Sequence, residues 1–235
     1  MDLKYVVTGT GRCGTVYMAR LLTSVGIPCG HESIFDWHGP NWATRRLNGE
    51  EPIECSCVST MRFDNGSWTP IPNWVDAKEI VAESSYMAAP FLKDILKDVP
   101  VIHVVRNPIK VINSFCNYLG YFQSSTPSNT YEQFIYRHIP SLREDMSPYD
   151  RAAVYYAGWN AIISRTTKSF FRLEDGPDSI LKMLGKDGDH FDDRAINTQK
   201  KPMEKFSMGQ LSEYANGLVR NVGEAYGYDL DKLVI

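Results

Sequence analysis

Three short stretches of this chain carry residue types whose spacing suits chemistry on an anion. The first is Gly9-Thr10-Gly11-Arg12-Cys13-Gly14-Thr15. Glycines let the backbone curl until successive N–H groups face one concavity. A helix starting at Thr15 adds its positive end to that cradle. Arg12 supplies a permanent forked charge, and Thr15 supplies a hydroxyl. The second stretch is Arg106-Asn107-Pro108 with Ser114 two helical turns later, so that an arginine and a serine face one phosphate. The third is Gly30-His31-Glu32, where a carboxylate and an imidazole adjoin. Each is a candidate proton acceptor.

The elements that must position these groups follow from hydrophobic pattern. Residues 3–8 are a β-branched apolar run and are expected to form a buried strand. Residues 15–25 show apolar side chains at helical spacing and stop at Gly26 and Pro28. A second strand is expected to end near Cys29, entering a loop that reaches Phe35, and a third to occupy residues 79–84. Residues 101–105 form the clearest strand, followed by a helix over 108–119 with Pro108 at its favoured first position. Further helices are expected over 87–96, 131–139, 149–166, 177–184 and 208–226, with a last short strand at 169–173. Residues 120–129, rich in Ser and Thr, read as a mobile loop, and residues 50–77 as irregular chain with a short hairpin. Strands alternating with helices predict a single α/β domain over residues 1–235: three layers, a mainly parallel sheet and helices on both faces. Ligands in such sheets bind at the C-terminal strand ends, where the first two motifs fall.

Bulk properties exclude several classes. A net charge of −3 over 235 residues argues against general nucleic-acid binding. No run of apolar residues is long enough to span a membrane, and the N-terminal residues lack signal-peptide character. Five cysteines, Cys13, Cys29, Cys55, Cys57 and Cys116, are an odd set without disulfide spacing. They fit reduced thiols in a cytoplasmic protein. Cys55 and Cys57 have no second pair at zinc-ligand spacing, the five histidines are scattered, and no metal is expected.

The first loop differs from the nucleoside-triphosphatase pattern, which places a lysine between its last glycine and the hydroxyl residue. Here Thr15 follows Gly14 directly and the charge sits inside the turn at Arg12. A cysteine phosphatase built on Cys13 needs an arginine six residues later, whereas Arg20 comes seven later. Taken together, the first two motifs resemble those of the sulfotransferases that use 3′-phosphoadenosine 5′-phosphosulfate (PAPS). The likeness extends to Gly30-His31-Glu32, to Phe171-Arg172-Leu173-Glu174-Asp175, to residues 197–202 with Lys200 and Lys201, and to Gly227-Tyr228. It does not cover residues 39–77.

The resemblance implies a P-loop-type fold in which Gly11, Arg12, Cys13, Gly14, Thr15 and Val16 hold the 5′-phosphosulfate. It implies that Arg106 and Ser114 hold the 3′-phosphate and makes Lys200 and Lys201 candidates to close over it, although a solvated basic turn is the commoner explanation of such a pair. Sulfonate would pass to a hydroxyl or amine of a small-molecule or carbohydrate acceptor, leaving 3′,5′-phosphoadenosine (PAP) and needing no metal. Glu32 is the first candidate for the base and His31 the second. Arg12 is the candidate stabiliser of the leaving phosphate. Tyr118, Tyr121 and Phe122 are candidates for an acceptor lid. Tyr155 and Trp159, at helical spacing, read as core packing, and Glu174-Asp175 as a cap or orienting pair for the next helix. A P-loop kinase and a non-catalytic PAP- or PAPS-binding protein are the competing functions. Oligomeric state and acceptor identity are open.

Overall fold

In the computed structural model, residues 1–53, 60–62, 68–70, 75–186 and 206–231 are described. Strands β1 (Tyr5–Thr8), β2 (Cys29–His31), β5 (Ala82–Ser84), β6 (Val101–Val105) and β7 (Phe170–Arg172) form one sheet in the order β2-β5-β1-β6-β7. Every neighbouring pair in it is parallel. Strands β3 (Thr60–Arg62) and β4 (Trp68–Pro70) pair antiparallel as a separate hairpin. The helices are α1 (Thr15–Ser24), α2 (Pro40–Leu47), α3 (Pro108–Asn113), α4 (Thr130–His138), α5 (Pro148–Ser164), α6 (Asp178–Met183) and α7 (Glu213–Ala225).

Alternation along the strands divides the core between the two faces of the sheet. Val7, Ile102 and Val104 join α1 and α6 residues such as Met18, Leu22 and Ile180. Val6 and Val105 join α3, α5 and α7 residues such as Ile112, Trp159 and Val219. The expected three layers, with helices on both faces, are therefore present. Helix α5 is buried nearly all round, as a helix packed between other layers must be. Ser147 caps it by accepting the Asp150 N–H, and Pro148 opens it.

Several local expectations need correction: the strand expected over 79–84 is only Ala82–Ser84, after a 3₁₀ turn at Ala77–Glu79, and the helix expected over 208–226 is Glu213–Ala225, after a 3₁₀ turn at Met208–Gln210. Residues 87–96 do not form an α-helix: Tyr86–Phe91 is a 3₁₀ turn, because Pro90 inside it lacks an N–H. The helix expected over 108–119 divides into α3 and a π turn, Ser114–Tyr118, where Leu119 N–H donates to the Ser114 carbonyl at 3.0 Å. Helix α2 was not anticipated. Its inward face is Ala43, Arg46 and the partly buried Leu47, an apolar pattern interrupted by a charge and too short over two turns to read. Arg46 turns inward and donates to Asp36 Oδ2 at 2.9 Å. No helix among the described residues is long and apolar enough to cross a membrane.

Candidate functional site

Strand β1 lies at the centre of the sheet. The chain leaves it toward β2 on one side, and β6 lies on the other, so the connections diverge between the C-terminal ends of β1 and β6. Such a divergence opens a crevice. Residues 9–14 form one wall of it, and the turn after β6 forms the other.

Close approach explains Gly9 and Gly11, and a left-handed backbone explains Gly14. A Cβ on Gly9 would lie 2.1 Å from the Val104 carbonyl oxygen, and one on Gly11 would lie 2.7 Å from Phe115 Cζ. Gly14 sits at φ +103°, against the Leu173 side chain. The turn is closed by Cys13 N–H donating to the Thr10 carbonyl at 3.2 Å. Gly14 gives α1 no side-chain cap and the first turn holds no acidic residue, so the helix start keeps its N–H groups and positive field for another partner. Thr10 Oγ1 is buried and has no hydrogen-bond partner among the described residues.

Arg12 adopts φ +66°, a left-handed conformation that costs a non-glycine residue energy. It reaches across the crevice, where its Nε donates to Ser114 Oγ at 2.9 Å. Arg106 Nη1 donates to the Arg12 carbonyl at 2.8 Å. The Tyr118 ring, carried by the π turn, lies 5.0 Å from the Arg12 guanidinium. Burial, and then repulsion by Arg106, hold the Arg12 pKa below its usual value. Two guanidinium groups placed so close that they repel each other suit an anion as partner. Arg12, Arg106, Ser114 and the glycine loop, far apart in sequence, are thus brought together.

Arg106 is braced from behind. Its carbonyl accepts the Tyr156 hydroxyl at 3.0 Å. Asn107 accepts the N–H groups of Ile109 and Lys110 and so caps α3. Glu174 accepts the Asn107 N–H at 3.0 Å and the Tyr228 hydroxyl at 2.7 Å. Glu174 therefore props the turn after β6 instead of capping the following helix, and Asp175 pairs with Arg172.

At the end of β2, His31 Nε2 lies 3.1 Å from Thr15 Oγ1, which ties this strand to the glycine loop. Burial holds His31 down to about 4, so it is neutral at pH 7. Glu32 follows at φ +51°, with 19% of its side-chain surface open. Burial, and then the charges of Glu83 and Asp36, push its carboxyl up to about 8. Tyr131, held up to about 12 by burial first, also feels the charges of Glu32 and Asp36. Tyr121 feels both Glu32 and Arg12.

No protein-family model matches the chain, and no curated protein matches it significantly. The site's own chemistry therefore carries the functional argument. Burial pushes the Cys13 thiol up to about 12, which leaves no thiolate for a phosphatase at neutral pH. Of the three expected lid residues, Tyr118 stacks on Arg12 and Tyr121 borders the crevice. Phe122 is a core residue, 1% exposed and at φ +63°, with its N–H on Glu132 Oε1 at 2.5 Å. The loop over 120–129 is pinned by Glu132, which also accepts from Ser128, and by Arg151, which donates to the Ser124 carbonyl.

Tyr155 has a role beyond the core packing expected of it. It does pack in the core, but its hydroxyl accepts the Gly11 N–H at 2.7 Å. Tyr156 and Tyr131 were not anticipated at all. A tyrosine whose hydroxyl serves a site has the same sequence periodicity as one that only packs. Val16 opens α1 beside Thr15. Lys200, Lys201, Cys55, Cys57 and His190 lie outside the described residues.

Proposed function

We propose that this chain binds PAPS in the crevice between β1 and β6 and transfers its sulfonate to a hydroxyl or amine of an acceptor. The observation that carries the proposal is the direct linkage of Arg106, Arg12 and Ser114. The two groups assigned to opposite phosphates touch through bonds of 2.8 and 2.9 Å, so one nucleotide can reach both. The uncapped α1 start, the glycine cradle and the unpartnered Thr10 hydroxyl fit an anionic ligand, and the lack of a lysine before Thr15 argues against a magnesium triphosphate.

In this reading Arg12 and the N–H groups at the start of α1 hold the 5′-phosphosulfate and stabilise negative charge on the departing phosphate. Arg106 and Ser114 hold the 3′-phosphate. Glu32, on the acceptor side, takes the acceptor proton once it is itself ionised. His31 is neutral and engaged with Thr15, and it serves best by orienting that hydroxyl. Transfer is an in-line displacement, in logic close to phosphoryl transfer.

Thermal shift tests binding first. PAP should raise the midpoint by several degrees, whereas ATP with magnesium should not. Radiolabelled sulfonate leaving PAPS, to water or to an acceptor, then tests turnover. Stabilisation by ATP and magnesium alone would favour a kinase, and PAP binding without turnover would favour a binding protein.

A further inference from the structure

Two adjacent residues of α5 send their hydroxyls to the two halves of the crevice. Tyr155 Oη accepts the Gly11 N–H at 2.7 Å, and Tyr156 Oη donates to the Arg106 carbonyl at 3.0 Å. Both side chains are fully buried. The Tyr155 ring is wedged between Phe115 and Trp159, with centroids at 4.9 and 5.3 Å. One turn later, Asn160 Oδ1 meets His103 Nε2 on β6 at 2.9 Å. Helix α5 therefore touches the glycine loop, the end of β6 and its middle. A packed helix is rigid, so the separation of two side chains on adjacent positions is fixed by its geometry.

We infer that the Tyr155–Tyr156 pair sets the distance between the two anion subsites, and thereby the preference for a nucleotide phosphorylated at both ends. The inference rests on the PAPS reading. Both tyrosines act as positioning residues, since their hydroxyls are spent on the backbone at Gly11 and Arg106. The Gly11 N–H is held toward the core, which fixes the origin of the turn from which Arg12 projects. The Arg106 carbonyl is held at the strand end, which fixes the base of the second guanidinium. Removing either hydroxyl leaves the ring and its packing in place but takes away one of the bonds that align the two halves, leaving their spacing to the Arg106–Arg12 and Arg12–Ser114 bonds and the β1–β6 pairing.

The experiment is a cycle on the ligand. Affinities of adenosine, adenosine 5′-phosphate, adenosine 3′-phosphate and PAP are measured by competition calorimetry for the full chain and for Tyr155→Phe, Tyr156→Phe and Ser164→Ala. Ser164 lies on the same helix but bonds Tyr226, 3.0 Å away, so it controls for a general weakening of α5. The cycle yields the factor by which each phosphate strengthens binding of the other, and losses confined to one subsite cancel from it. Both tyrosine variants should lower that factor about three- to tenfold, as expected for one lost hydrogen bond, while Ser164→Ala leaves it unchanged. A factor unchanged in both tyrosine variants, or lowered equally by Ser164→Ala, overturns the inference. A wild-type chain that binds PAP no more tightly than the two monophosphates overturns the PAPS reading itself, a result distinct from the first.

Discussion

Arg12 and Glu32 are two of the three non-glycine residues at positive φ among the described residues. Strain of this kind persists where surrounding contacts impose it, and it gathers at working sites. Arg12→Ala should lower transfer about a hundredfold or more if the guanidinium stabilises the leaving phosphate, as single-turnover measurements would show. Retention of the wild-type rate would remove Arg12 from the mechanism. Glu32 makes a prediction about pH. Its carboxyl is raised to about 8, so most of it is protonated at pH 7, and a base role requires the rate to rise with pH until about 8. Glu32→Gln should be slow and should lose that rise. The same shift bears on stability. The folded state holds this proton more tightly than the unfolded chain, so Glu32 lowers stability as pH climbs from about 4.5 to about 8. Glu32→Gln should remove that loss, visible as a higher melting midpoint than wild type at pH 8 or above. The types and places of Arg12, Arg106 and Glu32 were legible in the sequence because glycine turns and strand ends announce themselves, whereas Ser114, at the end of α3, stood out through the resemblance. The protonation state of Glu32 was not legible, since it depends first on burial and then on Glu83, which the fold brings near from 51 residues away, with Asp36 adding its charge.

The turn after β6 shows how elements carry the site. Asn107 caps α3, Pro108 opens it, and the π turn then carries Tyr118 to Arg12. Asn107→Ala should cost about 1 kcal/mol by loss of the cap, measured by denaturant unfolding. It should also weaken PAP binding, because Arg106 precedes the cap directly. An unchanged PAP affinity would show that Tyr156, Glu174 and the Arg12 carbonyl hold Arg106 without the cap. The strands at both walls of the crevice were legible, as were α1 and α5, because their patterns are strong and their ends carry Gly, Pro or Ser. The 3₁₀ turn, the π turn and α2 were not. Each is set by tertiary contact or by one residue, such as Pro90 or the buried Arg46, and none has a sustained period.

For the whole molecule, two buried histidines should weaken the fold in acid. His31 and His103 are both lowered to about 4, chiefly by burial. The unfolded chain takes up these protons first, so their share of stability is complete above about 6.5 and is lost as pH falls toward 4. The loss is roughly 3 kcal/mol for each. Glu32 works in the opposite direction down to about pH 4.5, but the two histidines together outweigh it, so melting midpoints should fall between pH 6.5 and 4, and His103→Gln should flatten that fall if the variant keeps the bond to Asn160. An equally steep fall in the variant would assign the weakening in acid to other groups. The alternation of strands and helices made the layered α/β fold readable from sequence. The direct contact between Arg106 and the Arg12 turn was not readable, because it spans 94 residues and depends on strand order.

The most direct measurement is a crystal structure of the chain with PAP. One molecule should place its 3′-phosphate within hydrogen-bond distance of Arg106 and Ser114 and its 5′-phosphate against Arg12 and the start of α1. PAP bound elsewhere, or with only one phosphate in the crevice between β1 and β6, would contradict the account.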